Sequence, residues 1–250
     1  MALIHARMDA LLVISASGNA PNNIKGVVFD KDGTLFDFNA VWSVWCDRVI
    51  GELSLGDEYL ADRLAGSIGY NRAEKTFISG SLIVSGAADD SAHAMTALLS
   101  EHSLENVKDV CTRLSIDLPL APVNGLEDTL GKLKSSGFKL GVATNDSETS
   151  AHEQLLAVDI ARHFDFVCGY DSGFGGKPAP GMLLAFCKAT NLAANEIAMV
   201  GDSLHDINAG VAAGVGLTVG VLTGPAGESE LTGDADVVMA DIRGLTELLL

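Results

Sequence analysis

The sequence predicts an α/β fold, a doubly wound and mostly parallel sheet that carries an inserted helical domain. Three observations predict it. Short apolar runs (Val27–Phe29, Phe138–Ala143, Phe164–Cys168, Glu196–Val200, Leu217–Leu222 and Ala235–Met239) recur along the chain. Such nearly continuous apolar runs suit strands buried on both faces. Between the later runs lie segments with helical patterning, and repeated βα units imply right-handed crossovers and helices on both faces of a parallel sheet. Residues 38–118, between the first run and the second, show helical periodicity and hardly any strand signal.

Taken in order, residues 1–23 read as a tail or a short helix, because the apolar patch Leu11–Ile14 is too short for a secretory core. The strand Val27–Phe29 runs into Asp30-Lys31-Asp32-Gly33-Thr34. In the insert, Asn39 is placed to cap a helix through Trp42, Trp45 and Val49, and a second amphipathic helix fits Asp57–Ile68. Ser79–Gly86 reads as a loop or short extended turn, and helices fit Asp89–Glu101 and Leu104–Leu114. The two prolines of Leu118-Pro119-Leu120-Ala121-Pro122 stiffen a hinge where the chain returns. Residues 24–37 and 119–250 therefore form the α/β core, and 38–118 the helical insert. In the core, Asn124 with Glu127 resembles a capping box, Ser147 can cap the next helix, and Pro180 suits a helical first turn.

Sixteen basic against thirty-three acidic residues give a net charge of −17. That argues against a nucleic-acid or anionic-membrane partner, since both require a basic face. A few local cations can still hold a small phosphorylated ligand. No apolar run approaches the roughly 18 residues that span a bilayer. Cys46, Cys111, Cys168 and Cys187 form no CxxC pair and read as buried thiols in a reducing compartment, the cytoplasm.

The polar residues fall at strand ends. Four junctions carry Asp30 and Asp32, then Thr144-Asn145, then a loop with Lys177, then Asp202 and Asp206. In a parallel sheet these ends share one edge, so the groups can converge. Two carboxylates as near as Asp30 and Asp32 repel unless a proton or a cation intervenes, and hard oxygen ligands suit Mg²⁺. The inventory has no Ser–His or thiol–His pair. It suits phosphoryl transfer, with Asp30 as nucleophile, Asp32 as general acid and base, and Thr144 and Lys177 on the phosphate. Asp202 would join Asp30 on the metal, and Asp206 would hold the ion's waters or orient Lys177. Blander readings stand beside these. Asp206 can be a helix-start residue favoured by the dipole, and His205 a surface group. Trp42 and Trp45 can be packing residues. Alternation would point Lys31 away from the catalytic face, with no catalytic role.

DKDGT (Asp30–Thr34), Thr144-Asn145, Lys177-Pro178 and GDSLHD (Gly201–Asp206) resemble, in order, the four signatures of the haloacid dehalogenase-like superfamily. The resemblance covers 25–250 and is most similar to the phosphoglycolate phosphatase-like branch. It implies a Rossmann-like core with a helical cap and Mg²⁺-dependent hydrolysis of a small phosphorylated metabolite. It assigns Asp30 as nucleophile, Asp32 as acid and base, and Thr144, Asn145 and Lys177 as residues that bind the substrate phosphate. Asp30, the main-chain carbonyl of Asp32, and Asp202 would hold the metal, with Asp206 beside them. The superfamily's dehalogenases lack the second aspartate, so Asp32 favours phosphate chemistry. The resemblance also admits a sugar phosphomutase, which shares nucleophile and acid/base, and a non-enzymatic interaction protein that keeps the fold. Substrate choice is expected from the cap, near Phe38, Trp42 and Ser79–Gly86.

Overall fold

The computed structural model describes residues 13–15, 23–78, 80–85, 90–115 and 118–250. The chain divides into two compact units, Met1–Asp37 with Pro122–Leu250, and Phe38–Ala121. The first unit begins with β1 (Val13–Ser15) and β2 (Gly26–Phe29). The second supplies α1 (Phe38–Ser54), α2 (Glu58–Ile68), β3 (Tyr70–Asn71), β4 (Thr76–Phe77), α3 (Leu82–Ser85), α4 (Asp90–Thr96) and α5 (Leu104–Ser115). The chain returns with α6 (Leu126–Ser135), β5 (Lys139–Ala143), α7 (Glu148–Ala157), β6 (Phe166–Cys168), α8 (Gly181–Thr190) and β7 (Ile197–Gly201). It ends with α9 (Leu204–Ala213), β8 (Leu217–Val221), α10 (Glu228–Leu231), β9 (Val237–Met239) and α11 (Gly244–Leu249).

The sheet has the order β1-β9-β8-β7-β2-β5-β6. All pairs are parallel except β1 with β9 at one edge. Every residue of β2, β7 and β8 is buried, as their apolar runs require in a sheet covered on both faces. From β2 the chain winds one way through β5 and β6 and the other way through β7, β8 and β9. β2 is therefore the switch point of the topology, where ligands bind beyond the strand ends. The register sets Phe29 level with Val142 on one side and Val200 on the other. The residues that follow these three strands are thereby brought to the same rim.

The helical unit has its own core, in which Trp45, Val49, Leu64, Ile68, Met95 and Val107 are buried. Each such large apolar side chain contributes roughly 1.5–3 kcal/mol through burial. Trp45 also donates its indole N–H to the Cys111 carbonyl at 3.0 Å, and Trp42 packs on the same core, as a packing role requires. Asp57 caps α2 by accepting from the Leu60 N–H at 3.0 Å.

Several local expectations change. Val13–Ser15 is a strand where a tail or short helix was expected. Its β-branched residues pair with the open edge of β9, and most of 1–22 lies outside the described residues. The insert holds a small hairpin, β3 with β4, that the helical pattern did not signal. Leu82–Ser85 forms a helical turn inside the expected Ser79–Gly86 loop; Ser79 and 86–89, including the start of the Asp89–Glu101 helix, lie outside the described residues. Helix α1 starts at Phe38, so Asn39 lies within its first turn instead of capping it. Gly125, with φ 71°, takes the N-cap of α6 in place of an Asn124–Glu127 box. Glu127 instead accepts from Arg162 at 2.6 Å and meets His163 at 3.0 Å, a stronger charge-assisted pairing.

Candidate active site

Asp30 follows β2 directly, and its main-chain N–H extends the ladder to the Val200 carbonyl at 2.8 Å. Its buried carboxylate meets the Lys177 ammonium at 2.6 Å. The same ammonium reaches Asp206 Oδ1 at 2.5 Å. Asp202 completes the cluster, since carboxylate oxygens of Asp30, Asp202 and Asp206 all lie within 4.8 Å of one another. These groups come from loops after β2, β6 and β7, so the convergence expected from the strand ends is realised in the sheet unit.

Local structure fixes each group. The two aspartates of the last motif sit on the turn into α9. Asp206 Oδ2 accepts from the Ser203 main-chain N–H at 3.1 Å and the Ser203 hydroxyl at 2.7 Å. Asp206 thus serves both as the helix-start residue and as a partner of Lys177. Gly33 has φ +84° and turns the chain so that its N–H reaches the Phe36 carbonyl at 2.7 Å. A Cβ on Gly224 would lie 1.9 Å from Asp202 Oδ2, so only glycine lets this loop pass. Next to it, the Thr223 hydroxyl donates to the Gly33 carbonyl at 2.6 Å.

The charges do not balance. Three carboxylates face one ammonium in a buried space. Burial raises the Asp30 carboxyl from 3.8 to about 6, against the lowering pull of Lys177. Burial, then the neighbouring Asp30 and Asp206, push Asp202 well above the ordinary range. Burial works against the charge on Lys177, but Asp206 and Asp30 outweigh it and raise its pKa. A cluster with surplus negative charge and hard oxygen donors fits a divalent cation such as Mg²⁺.

The remaining expected residues are held in different ways. Thr144 is buried, and its hydroxyl oxygen accepts from the Asp146 N–H at 3.0 Å. Asn145, expected to bind the substrate phosphate, clamps the Lys177 main chain. It donates to the carbonyl at 3.0 Å and accepts from the N–H at 2.8 Å. The Asp32 carboxylate stands apart from the three-carboxylate cluster and meets Lys31 at 2.7 Å. Lys31 is the residue that sequence reasoning missed. It was expected to point away without a role, yet its side chain is buried and its ammonium reaches Asp32, Asp146 and Gln154. β2 ends at Phe29, and beyond it a strand's period of two no longer says what a long lysine side chain reaches. The unusual lysine between two aspartates was the available signal. His205 is exposed.

The family model of the haloacid dehalogenase-like hydrolases matches residues 24–214, a range that includes the carboxylate-rich rim at the switch point of the sheet. The chain belongs to this family and is an enzyme of its hydrolase class. In sequence it is phosphoglycolate phosphatase-like. The phosphoglycolate phosphatase of Escherichia coli (strain K12) is 31% identical over 225 residues, covering 83% of this chain and 86% of that protein. Among solved structures, a haloacid dehalogenase-superfamily hydrolase, subfamily IA, variant 1, from Geobacter sulfurreducens superposes with a TM-score of 0.63. It is 22% identical and covers 94% of this chain and 100% of its own. A candidate β-phosphoglucomutase from Thermotoga maritima gives 0.68 at 23% identity, covering 90% and 98%. These two likenesses establish the fold. No helix among the described residues is long and apolar enough to cross a membrane.

Proposed function

We propose that the chain is a Mg²⁺-dependent phosphatase that hydrolyses a small phosphomonoester, of the phosphoglycolate type, through an aspartyl-phosphate on Asp30. The observation that carries this reading is the buried cluster of Asp30, Asp202 and Asp206 around Lys177, with Asp32 two residues from Asp30. The 31% identity to a named phosphoglycolate phosphatase supports the substrate class.

A carboxylate oxygen of Asp30 attacks phosphorus, and the bond to the leaving oxygen breaks with its electron pair on that oxygen. Asp32 gives the leaving oxygen a proton. In the second half, Asp32 takes a proton from the water that attacks the phosphoaspartate, releasing inorganic phosphate and restoring Asp30. Lys177 and Thr144 hold the phosphoryl oxygens while charge builds on them. Asn145 keeps the Lys177 main chain in place. Asp30, Asp202 and the main-chain carbonyl of Asp32 would hold the magnesium ion, with Asp206 supporting Lys177. When bound, the ion supplies the positive charge that keeps the carboxylates ionised and neutralises the phosphate.

The helical unit is assigned the choice of substrate. Four free cysteines, all buried, suit work in a reducing compartment such as the cytoplasm. Purified protein should release phosphate from 2-phosphoglycolate and p-nitrophenyl phosphate with Mg²⁺ and stop when the metal is chelated. Full activity in an Asp30→Asn variant would overturn the mechanism. Conversion of a sugar 1-phosphate to the 6-phosphate without free phosphate would select the mutase reading instead.

A further inference from the structure

Lys31 occupies a position where alternation called for a side chain facing away from the site. Its ammonium has three N–H donors. They meet Asp32 at 2.7 Å, Asp146 Oδ2 at 3.2 Å and Gln154 Oε1 at 2.6 Å. The side chain is 1% exposed, and its ammonium lies 5.9 Å from the centre of the Phe36 ring. The partners on the far side are themselves anchored. Asp146 accepts from the Ser147 N–H at 2.7 Å and the Ser150 hydroxyl at 2.6 Å, and Gln154 donates to that hydroxyl at 3.2 Å. The first turns of α7 thus hold the Lys31 ammonium, which in turn holds Asp32.

Asp32 is built the other way. Its side chain is 37% exposed, open to solvent on one side. Packing does not fix such a carboxylate. Burying a lysine costs desolvation that an apolar residue would avoid, so simple filling of the space gives no reason for an ammonium there. Orientation of the neighbouring carboxylate does.

We propose that Lys31 is the positioning residue for Asp32, tying the acid/base carboxylate to helix α7 in the orientation that serves the leaving oxygen. The inference rests on the phosphatase reading above. In that reaction the leaving oxygen takes a proton from Asp32 as the bond to phosphorus breaks and the bond from Asp30 forms. An alkoxide needs that proton, whereas p-nitrophenolate leaves without it. Displacing Asp32 should therefore harm one substrate class and spare the other.

The test compares kcat/KM, which reports the steps through transfer to Asp30, for an alkyl phosphate such as 2-phosphoglycolate and for p-nitrophenyl phosphate. In Lys31→Met the alkyl value should fall by roughly 30-fold or more, a part of the ~10²–10⁴ available from a proton-transfer group. The p-nitrophenyl value should fall by less than about threefold. Asp32→Asn sets the largest split attainable. Gln154→Leu loosens the same ammonium from the α7 side and should show a smaller split of the same sense. It provides the test if Lys31→Met does not fold, as judged by circular dichroism. Equal losses on both substrates in the folded variants, or none, would overturn the positioning role. A wild-type protein inactive on both substrates with Mg²⁺ would instead defeat the phosphatase reading itself.

Discussion

Two buried lysines stand on the same rim of the sheet and have opposite surroundings. Lys177 faces Asp30 and Asp206, with Asp202 close by, and all three carboxylates are buried. Lys31 faces Asp32 and Asp146, both partly exposed, and a neutral glutamine. The consequences run in opposite directions. Around Lys177, burial and mutual repulsion push Asp30 and Asp202 up. Near Lys31, burial also acts to raise Asp146, but the Ser150 hydroxyl, the Lys31 charge and the Ser147 N–H outweigh it and bring Asp146 down. A buried neighbourhood with surplus negative charge is poised to receive a cation and an anionic substrate, whereas the half-exposed carboxylates around Lys31 leave their surplus charge to solvent. The same residue type thus builds a reactive centre in one place and a fixed support in the other.

The largest effect is expected at Asp30. Asp30→Asn should lower phosphatase turnover by roughly 10⁴-fold or more, the scale of losing a covalent nucleophile. Phosphate release in the steady state measures it, and retention of more than about a tenth of the activity would remove the distinction between the two centres.

Metal removal is expected to have the next largest effect. The folded Asp30 carboxyl stands at about 6 against 3.8 ordinarily, so the folded chain holds the extra proton between those values. Its contribution to stability is full below 3.8, is lost as pH rises toward about 6, and stays lost above. A bound cation competes with that proton, so Mg²⁺ should stabilise the fold more at pH 7.5 than at pH 5. With Mg²⁺ at about 100 times its Kd, the rise in Tm at pH 7.5 should be roughly 5–10 °C, and less than half of that at pH 5. Thermal unfolding at the two pH values measures it. Equal shifts would mean that the cation does not sit on the cluster. A smaller effect is expected at Gly224, where alanine would press on Asp202. Gly224→Ala should cut activity by roughly tenfold and weaken the Mg²⁺-induced shift, with circular dichroism unchanged.

The Lys177 neighbourhood was legible in the sequence because its residues lie in the loops that follow runs of strand-forming residues. The topology of a doubly wound sheet then forces those ends together, so Asp30, Lys177, Asp202 and Asp206 could be grouped from the sequence. Lys31 was not legible. Its direction depends on the path of a loop that has left the strand, and its partners Asp146 and Gln154 are more than a hundred residues away. Asn145 shows the same limit: its place on a strand end was readable, but its clamp on the Lys177 main chain depends on the course of the loop after β6. Local capping failed for a related reason. Asn124 and Glu127 have the spacing of a box, yet tertiary partners Arg162 and His163 claim Glu127. The edge strand β1 and the two-residue hairpin in the insert are too short for periodicity to reveal.

The smallest effect is expected on the half-exposed side, around Lys31. Asp146 is held below its ordinary 3.8 in the folded chain, the reverse of Asp30. Its contribution is therefore present above 3.8 and is lost as pH falls through the folded value beneath it. Its side chain is 34% exposed, so solvent screens part of the interaction. Asp146→Asn should cost about 1 kcal/mol near pH 7 and progressively less as pH falls below 3.8, read from urea midpoints at each pH. The pH trend of this variant should thus oppose that of metal-free protein lacking the Asp30 carboxylate, whose advantage over the parent grows as pH rises from 4 to about 6. If both variants followed pH in the same direction, the two lysines would share one electrostatic environment, and the division of the rim into a reactive centre and a support would fail.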